Sequence, residues 1–207
     1  MRAPTSVKTL ETLGRVRLSP SFFMRDFLYS EISNFAGLPN IPDDPELAIV
    51  VGRRLCVDLL EPLQATFGRI AIRSAYRSET VNRWGNQNNQ GCARNEANYA
   101  GHIWDRRDAE GRMGATACIV VPWFADRYKF GADWRSMAWW IHDYLPYSSL
   151  EFFPKLAAFN IQWREQAERR IDSFIGGRGC LTRPGMDNHA GDHSAHYPDF
   201  PTLRTLA

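Results

Sequence analysis

The feature that most constrains the fold is a helical pattern that runs from Glu46 to Phe67. Its leucine and valine side chains recur every four residues and share one helical face, at positions 47, 51, 55, 59 and 63. Pro62 is expected to kink the last turn, and Gly68 is a favourable terminator. The sequence therefore predicts one long helix here, with its apolar stripe in a core.

Strand and helix patterns follow this helix along the chain. Strands are predicted at 69–75, 116–122, 147–153 and 157–163, the last two as a hairpin, and an amphipathic helix at 133–145. Residues 79–115 are polar and rich in Asn, Gly and Arg, which predicts a long functional or mobile loop. This order predicts an α+β fold with a small antiparallel sheet packed with helices.

Three parts are predicted along the chain. Residues 1–20 form an N-terminal arm, 21–175 the main domain, and 176–207 an irregular C-terminal extension rich in Gly, Pro and His. A length of 207 residues, with 44% hydrophobic and 23% charged residues, suits one globular domain with extensions.

Charge and apolar content bear on partners and location. The net charge of +2 is too small to indicate nucleic acid or an anionic membrane surface as a partner. No apolar run is long enough for a signal peptide core or a membrane span. We therefore expect a cytoplasmic protein, or one that is released or particle-associated by another route. The four cysteines lack close C-x-x-C spacing, which favours reduced thiols over a disulfide framework.

Three motifs occur in a fixed order: SEISNFAGLPNIP at 30–42, LLEPLQATFG at 59–68, and SAYRS at 74–78 with Asn82 after it. In this order the chain, from about Phe22 to Phe174, resembles the zinc D-alanyl-D-alanine peptidases, which include carboxypeptidases and many phage endolysins. The resemblance implies a D,D-peptidase-like fold and a peptidoglycan stem peptide as ligand. It also implies that Tyr76, Arg77 and Ser78 bind substrate, with the Arg77 guanidinium on a carboxylate. A structural ion pair is the alternative role for Arg77.

The family holds zinc with His, Asp and His, and a nearby Glu takes a proton from the metal-bound water. The resemblance places His102 at the first ligand position and Cys118, in GATAC, at the Asp position. Phe153 falls at the Glu position, or Glu151 if the register slips by two, so that Glu151 is the catalytic candidate. Ile161 falls at the second His position. Since Phe and Ile neither bind zinc nor transfer protons, the resemblance implies a degenerate metal site.

Two other sets of residues could supply relocated zinc ligands. His102, Asp105 and Asp108 form an H-x-x-D-x-x-D cluster that could act with Cys118. His189, His193 and His196 are dense in a chain with five His, and H-x-x-x-H is a metal-ligand spacing on a helix. The flanking Gly and Pro argue against a helix there, which leaves a flexible tail or a packing arm as the alternative. Zinc is thus the expected cofactor if ligands are relocated, and none is expected if the site is degenerate.

Three functions remain open on the sequence. The first is a peptidase-like domain without catalysis, a pseudoenzyme repurposed to bind a peptide, a protein partner or an assembly. The second is an active metal-dependent hydrolase of a peptidoglycan amide bond. The third is a structural component of a phage-like particle, in which the aromatic segments WFADRY, DWRSMAWW and YSSLEFF would form a docking face.

Overall fold

A computed structural model describes residues 1–204 and shows an α+β fold. The helices are α1 (Val7–Gly14), α2 (Glu31–Ala36), α3 (Pro45–Leu55), α4 (Glu61–Phe67), α5 (Glu79–Gln87), α6 (Asn95–Asn98), α7 (Pro122–Lys129) and α8 (Trp134–Tyr144). The strands are β1 (Ala71–Ser74), β2 (Gly114–Val120), β3 (Ser149–Phe152), β4 (Phe159–Arg164), β5 (Arg170–Ser173) and β6 (Gly179–Thr182).

The predicted long helix is confirmed, with a change of geometry inside it. Helix α3 begins where the Asp44 side chain accepts a hydrogen bond from the backbone N–H of Leu47, and α4 ends at Gly68, whose φ is 82°. Between α3 and α4 the residues Cys56–Leu60 form a π-helical turn. Pro62 lies in the first turn of α4, where its missing N–H is tolerated, and it directly follows the π-helical turn.

The polar stretch after β1 is more ordered than predicted. The expectation of one long loop over 79–115 is wrong for its first half, which contains α5 and α6. The Ser78 side chain caps α5 by accepting the N–H of Val81. Few apolar residues mark these helices, so hydrophobic periodicity did not reveal them.

The six strands form one sheet in the order β1-β2-β4-β3-β5-β6. The predicted hairpin of β3 and β4 is confirmed as an antiparallel pair. The predicted α+β fold with a small antiparallel sheet is confirmed, and the one departure among the printed pairings is β5, which pairs with β3 in parallel. The C-terminal extension is also less irregular than expected, because β6 lies in it and pairs with β5.

The two faces of the β4-β3-β5 portion differ in polarity. Leu150, Phe152, Phe159, Ile161 and Ile171 are buried at 0–1% exposure and form the apolar face. Alternation along each strand puts the polar side chains on the opposite face, namely Ser149 and Glu151 on β3, Asn160 and Gln162 on β4, and Arg170 and Asp172 on β5.

The chain divides into two compact units. The first comprises Met1–Val57 and Ser74–Ala117, and the second comprises Asp58–Arg73 and Cys118–Ala207, with description ending at residue 204. In the first unit, the fully buried Trp104 packs near Phe27 and Tyr76, with ring centroids 5.3 and 6.2 Å away. The sequence-based division at residues 20 and 175 stays a prediction.

Aromatic packing also builds the second unit. The ring of Phe67 lies 4.6 Å from that of Trp140 and 5.0 Å from that of Trp123, and Phe200 of the C-terminal extension joins this group. Within residues 1–204, no helix has the length and apolar character needed to cross a membrane.

Candidate functional site

The SAYRS segment and His102 lie side by side in the first unit. The Arg77 N–H donates to the His102 carbonyl at 2.8 Å, and His102 Nδ1 lies 2.7 Å from the carbonyl oxygen of Ala75. A carbonyl only accepts, so Nδ1 carries the proton and the ring lone pair lies on Nε2. The structure therefore brings together two residues that the resemblance places in the site, and fixes the tautomer in which Nε2 is the basic nitrogen.

The Arg77 guanidinium has poor acceptors around it. Nη1 of Arg77 lies 2.6 Å from Cys92 Sγ and 3.4 Å from the side-chain oxygen of Asn82, and the buried Nε has no hydrogen-bond partner. A thiol is a weak acceptor, and a bond of 3.4 Å is long. No ion pair to Arg77 occurs within the described part of the chain, so the structure gives it no structural salt bridge. The side chain keeps unused donor capacity on a charge that is only partly exposed.

A network of asparagines holds the segment around Arg77. The fully buried Asn82 donates to the Ala93 carbonyl and to the side-chain oxygen of Asn95, and it accepts from Asn98. These bonds tie α5 to α6. Sequence reasoning noticed the asparagine-rich stretch but not its role, which depends on bonds between residues up to 16 positions apart.

Tyr76 and Ser78, the other predicted substrate-binding residues, have contacts that build the fold. Tyr76 is fully buried, and burial beside the Asp105 carboxylate raises the pKa of its hydroxyl. Ser78 caps α5, and its own N–H donates to Asn40 Oδ1 at 2.8 Å. Asn40, which sequence reasoning missed, also donates to the Tyr76 carbonyl and so positions the segment that carries Arg77.

Asp105 and Asp108 bind backbone amides. Oδ2 of Asp105 accepts the N–H of Asp43 at 2.7 Å, and burial raises the pKa of its carboxyl group. Oδ1 of Asp108 accepts the N–H groups of Glu110 and Arg112 in a tight turn. These two carboxylates thus support local loop structure.

Glu151 lies on the polar face of the sheet in the second unit. Burial raises the pKa of the Glu151 carboxyl group. The side-chain amide of Asn160 donates a hydrogen bond to this group at 3.1 Å, which lowers the pKa by less than burial raises it. Ile161 is fully buried on the apolar face, so neither its chemistry nor its direction suits a metal. Phe153 packs against a small cluster formed by Cys118, Val120, Ala125 and Ala158. The cluster is apolar apart from the Cys118 thiol.

The tail histidines bind protein groups in the second unit. His193 is buried, with Nδ1 2.6 Å from Asp143 Oδ1 and Nε2 2.9 Å from the Asn188 carbonyl oxygen. His189 Nδ1 lies 3.2 Å from the Thr182 hydroxyl, and the His196 ring lies 5.7 Å from that of Trp139. This segment contains only a three-residue 3-10 helix, so the H-x-x-x-H spacing does not place the two rings on an α-helical face.

The described structure does not bring these donors together at one point. Among residues 1–204, no group of three or more His, Cys, Asp and Glu side chains is arranged to hold a metal ion. Asp105 and Asp108 each accept backbone N–H groups through one carboxylate oxygen, and His193 bonds to the side chain of Asp143. The spacing of these residues in the sequence does not show in which direction each donor atom points.

Comparison of the chain with protein-family models, with curated proteins and with solved structures finds no match.

Proposed function

We propose that this protein is a peptidase-like binding domain, a pseudoenzyme that holds the terminal carboxylate of a peptide at Arg77 without cleaving it. The resemblance to the D,D-peptidases suggests a peptide that ends in D-alanyl-D-alanine, as in peptidoglycan stems. The observation that carries the proposal is the Arg77 guanidinium, whose buried Nε is unpartnered and whose Nη1 faces a thiol.

Elementary electrostatics supports this assignment. A partly buried charge is costly unless an opposite charge or good acceptors compensate it. A carboxylate would supply two strong acceptors to the planar guanidinium and form charge-assisted bonds of about 1.5–3 kcal/mol. The Asn40 and Asn82 bonds hold the surrounding backbone, so the ligand would meet a preorganised site.

The donor set supports binding over hydrolysis. The positions of the family's Glu and second His hold Phe153 and Ile161, and Asp105 and Asp108 each use one carboxylate oxygen to accept backbone amides. A hydrolase with relocated ligands remains the second candidate, because His102 has the arrangement usual for metal-binding histidines, in which the other ring nitrogen donates to a carbonyl.

The proposal includes a cytoplasmic or particle-associated location, which the four cysteines support because none forms a disulfide.

Calorimetric titration with two matched peptides tests the proposal. One peptide ends in D-alanyl-D-alanine with a free carboxylate, and the other ends in the corresponding carboxamide. We expect the wild-type protein to bind the carboxylate form at least tenfold more tightly, and Arg77→Gln to lose this preference. Arg73→Gln, on the exposed side of β1, is the matched control and should keep it. Equal binding of both peptides by the wild-type protein would refute the carboxylate site.

Elemental analysis separates the second candidate from the first. The protein is purified in the presence of zinc, and the metal content is measured for the wild type and for His102→Ala. The binding-domain proposal predicts no stoichiometric zinc and no release of D-alanine from the peptide. Zinc near one equivalent that disappears in His102→Ala, together with D-alanine release, would establish the hydrolase instead.

A further inference from the structure

Two aromatic rings adjoin on the surface of the first unit. The Phe35 side chain, near the end of α2, is 85% exposed, and Trp84 on α5 is partly exposed. Their ring centroids lie 6.2 Å apart, with an interplanar angle of 58°. A single exposed aromatic side chain is ordinary, whereas two that adjoin form a small apolar surface. We call these two rings the aromatic platform.

The exposed face of α5 around Trp84 is polar but uncharged. Residues three and four positions apart share a face of a helix. Thr80, Gln87 and Asn88 have this spacing from Trp84, and all three are exposed. The platform is therefore bordered on α5 by one hydroxyl group and two carboxamides.

The turn after α5 orients its amide side chains. Nδ2 of Asn88 donates to the Trp84 carbonyl at 2.8 Å, and Nε2 of Gln90 donates to the Asn88 carbonyl at 2.8 Å. The Gln90 backbone N–H donates to the Gly85 carbonyl, which folds the turn back on α5. Because the two side-chain nitrogens are used within the turn, the two side-chain oxygens remain as acceptors. Neither oxygen receives a donor from the described part of the chain.

This surface suits a ligand with an apolar face and hydroxyl donors. A sugar ring has C–H groups on its faces, which pack on aromatic rings, and hydroxyl groups at its edge, which donate to amide oxygens. The charged residues nearest to the platform along α2 and α5 are Glu31 and Arg83, and their charges have opposite signs. The platform thus offers no net charge to an anion or a cation, which favours an uncharged ligand.

We propose that the aromatic platform and the turn after α5 bind an uncharged saccharide. A sugar ring packs on Phe35 and Trp84, and its hydroxyl groups donate to the side-chain oxygens of Asn88 and Gln90. The bonds that orient both amides exist in the free protein, so binding immobilises few side chains.

The saccharide site adjoins the Arg77 site within the first unit. Cys92 Sγ lies 2.6 Å from Nη1 of Arg77. A Cβ placed on Gly85, which follows Trp84 in the chain, would lie 2.6 Å from the same sulfur. The two sites are therefore neighbours, but an uncharged sugar has no carboxylate for Arg77, and saccharide binding does not depend on the carboxylate proposal.

Amide NMR of the isotope-labelled wild-type protein tests the site without a variant. The probes are chitotetraose and cellotetraose, two uncharged tetrasaccharides that are titrated separately. We expect at least one of them to cause saturable shifts at the backbone amides of residues 84–91 and at the Trp84 indole N–H. No saturable shift with either sugar, or shifts confined to other parts of the chain, would overturn the proposal.

Two matched variants test the role of the platform. Phe35→Ala should weaken binding of the tetrasaccharide about three- to tenfold, because one stacking partner is lost. Phe130→Ala, at a position that is 87% exposed in the second unit, should bind as the wild type. Equal affinities of Phe35→Ala and the wild type, or equal losses in both variants, would overturn the proposal. A wild-type dimer that Phe35→Ala dissociates in sedimentation would also overturn it, because the rings would then form an interface between two copies.

Discussion

Asp105 offers a sharp test of whether its carboxylate supports the fold or binds a metal. Its Oδ2 accepts the N–H of Asp43 at 2.7 Å and of Asp44 at 3.4 Å, and the residue is 4% exposed. A hydrogen bond to a charged acceptor contributes about 1.5–3 kcal/mol, and the 3.4 Å contact adds little. We therefore expect Asp105→Ala to lower the free energy of unfolding by about 2–3 kcal/mol.

The isosteric change Asp105→Asn separates the charge from the hydrogen bond. Its side-chain oxygen can still accept the N–H of Asp43, and it carries no charge to bury. Because burial raises the pKa of Asp105, the wild-type protein loses stability as pH rises from the ordinary pKa of aspartate, 3.8, to the raised pKa in the folded state. The stability of Asp105→Asn relative to the wild type should therefore improve from acid to neutral pH.

Urea unfolding followed by tryptophan fluorescence measures both variants at pH 4 and pH 7. The seven tryptophans provide the signal, and the slope with urea checks that the denatured state is unchanged. If Asp105→Ala is as stable as the wild type but loses a bound metal ion, the side chain is a ligand and the structural account of Asp105 fails. If Asp105→Ala and Asp105→Asn lower the free energy of unfolding equally at pH 7, the structural account of Asp105 is also contradicted.

Three further predictions concern packing and burial. Gly85→Ala would place a Cβ 2.6 Å from Cys92 Sγ, so we expect a loss of about 1–3 kcal/mol in urea unfolding, and an unchanged midpoint would contradict it. Trp104→Phe removes the donor to the buried Thr116 carbonyl and should cost about 1–3 kcal/mol, whereas a neutral effect would show that water replaces the bond. Because burial raises the pKa of Glu151, the charged form is disfavoured in the folded state, and Glu151→Gln should stabilise the protein above pH 4.5, with the gain shrinking in acid. If Glu151→Gln is less stable than the wild type at pH 7, burial of the Glu151 charge does not destabilise the folded protein.

The sequence predicted elements well where apolar periodicity determines them. The helix around Leu55 and Leu59 and the β3–β4 hairpin follow from buried side chains at regular spacing. Helix α5 has instead a side-chain cap at Ser78 and tertiary bonds at Asn82, neither of which leaves a periodic signal. The strands β5 and β6 are four residues each, and they contain charged or small residues, so pairing with a neighbour determines them.

The candidate site was predictable only in part, for a different reason. The motif resemblance assigns Arg77 and His102 to one site, and the structure joins the two residues by a backbone hydrogen bond. The spacing of His102, Asp105 and Asp108 equally allowed a metal cluster. Whether a carboxylate faces an ion or a backbone amide depends on the loop path, and three-residue spacing in a loop does not encode that path.

The central claim is that Arg77 holds a ligand carboxylate, and a binding cycle tests it most directly. The affinities of the wild type and of Arg77→Gln are measured by calorimetry for the carboxylate and carboxamide forms of the same peptide. The four values give the coupling energy between guanidinium and carboxylate. The account predicts a coupling of about 1.5–3 kcal/mol, which corresponds to a ten- to two-hundredfold preference. A coupling near zero, with measurable binding in all four titrations, would contradict it.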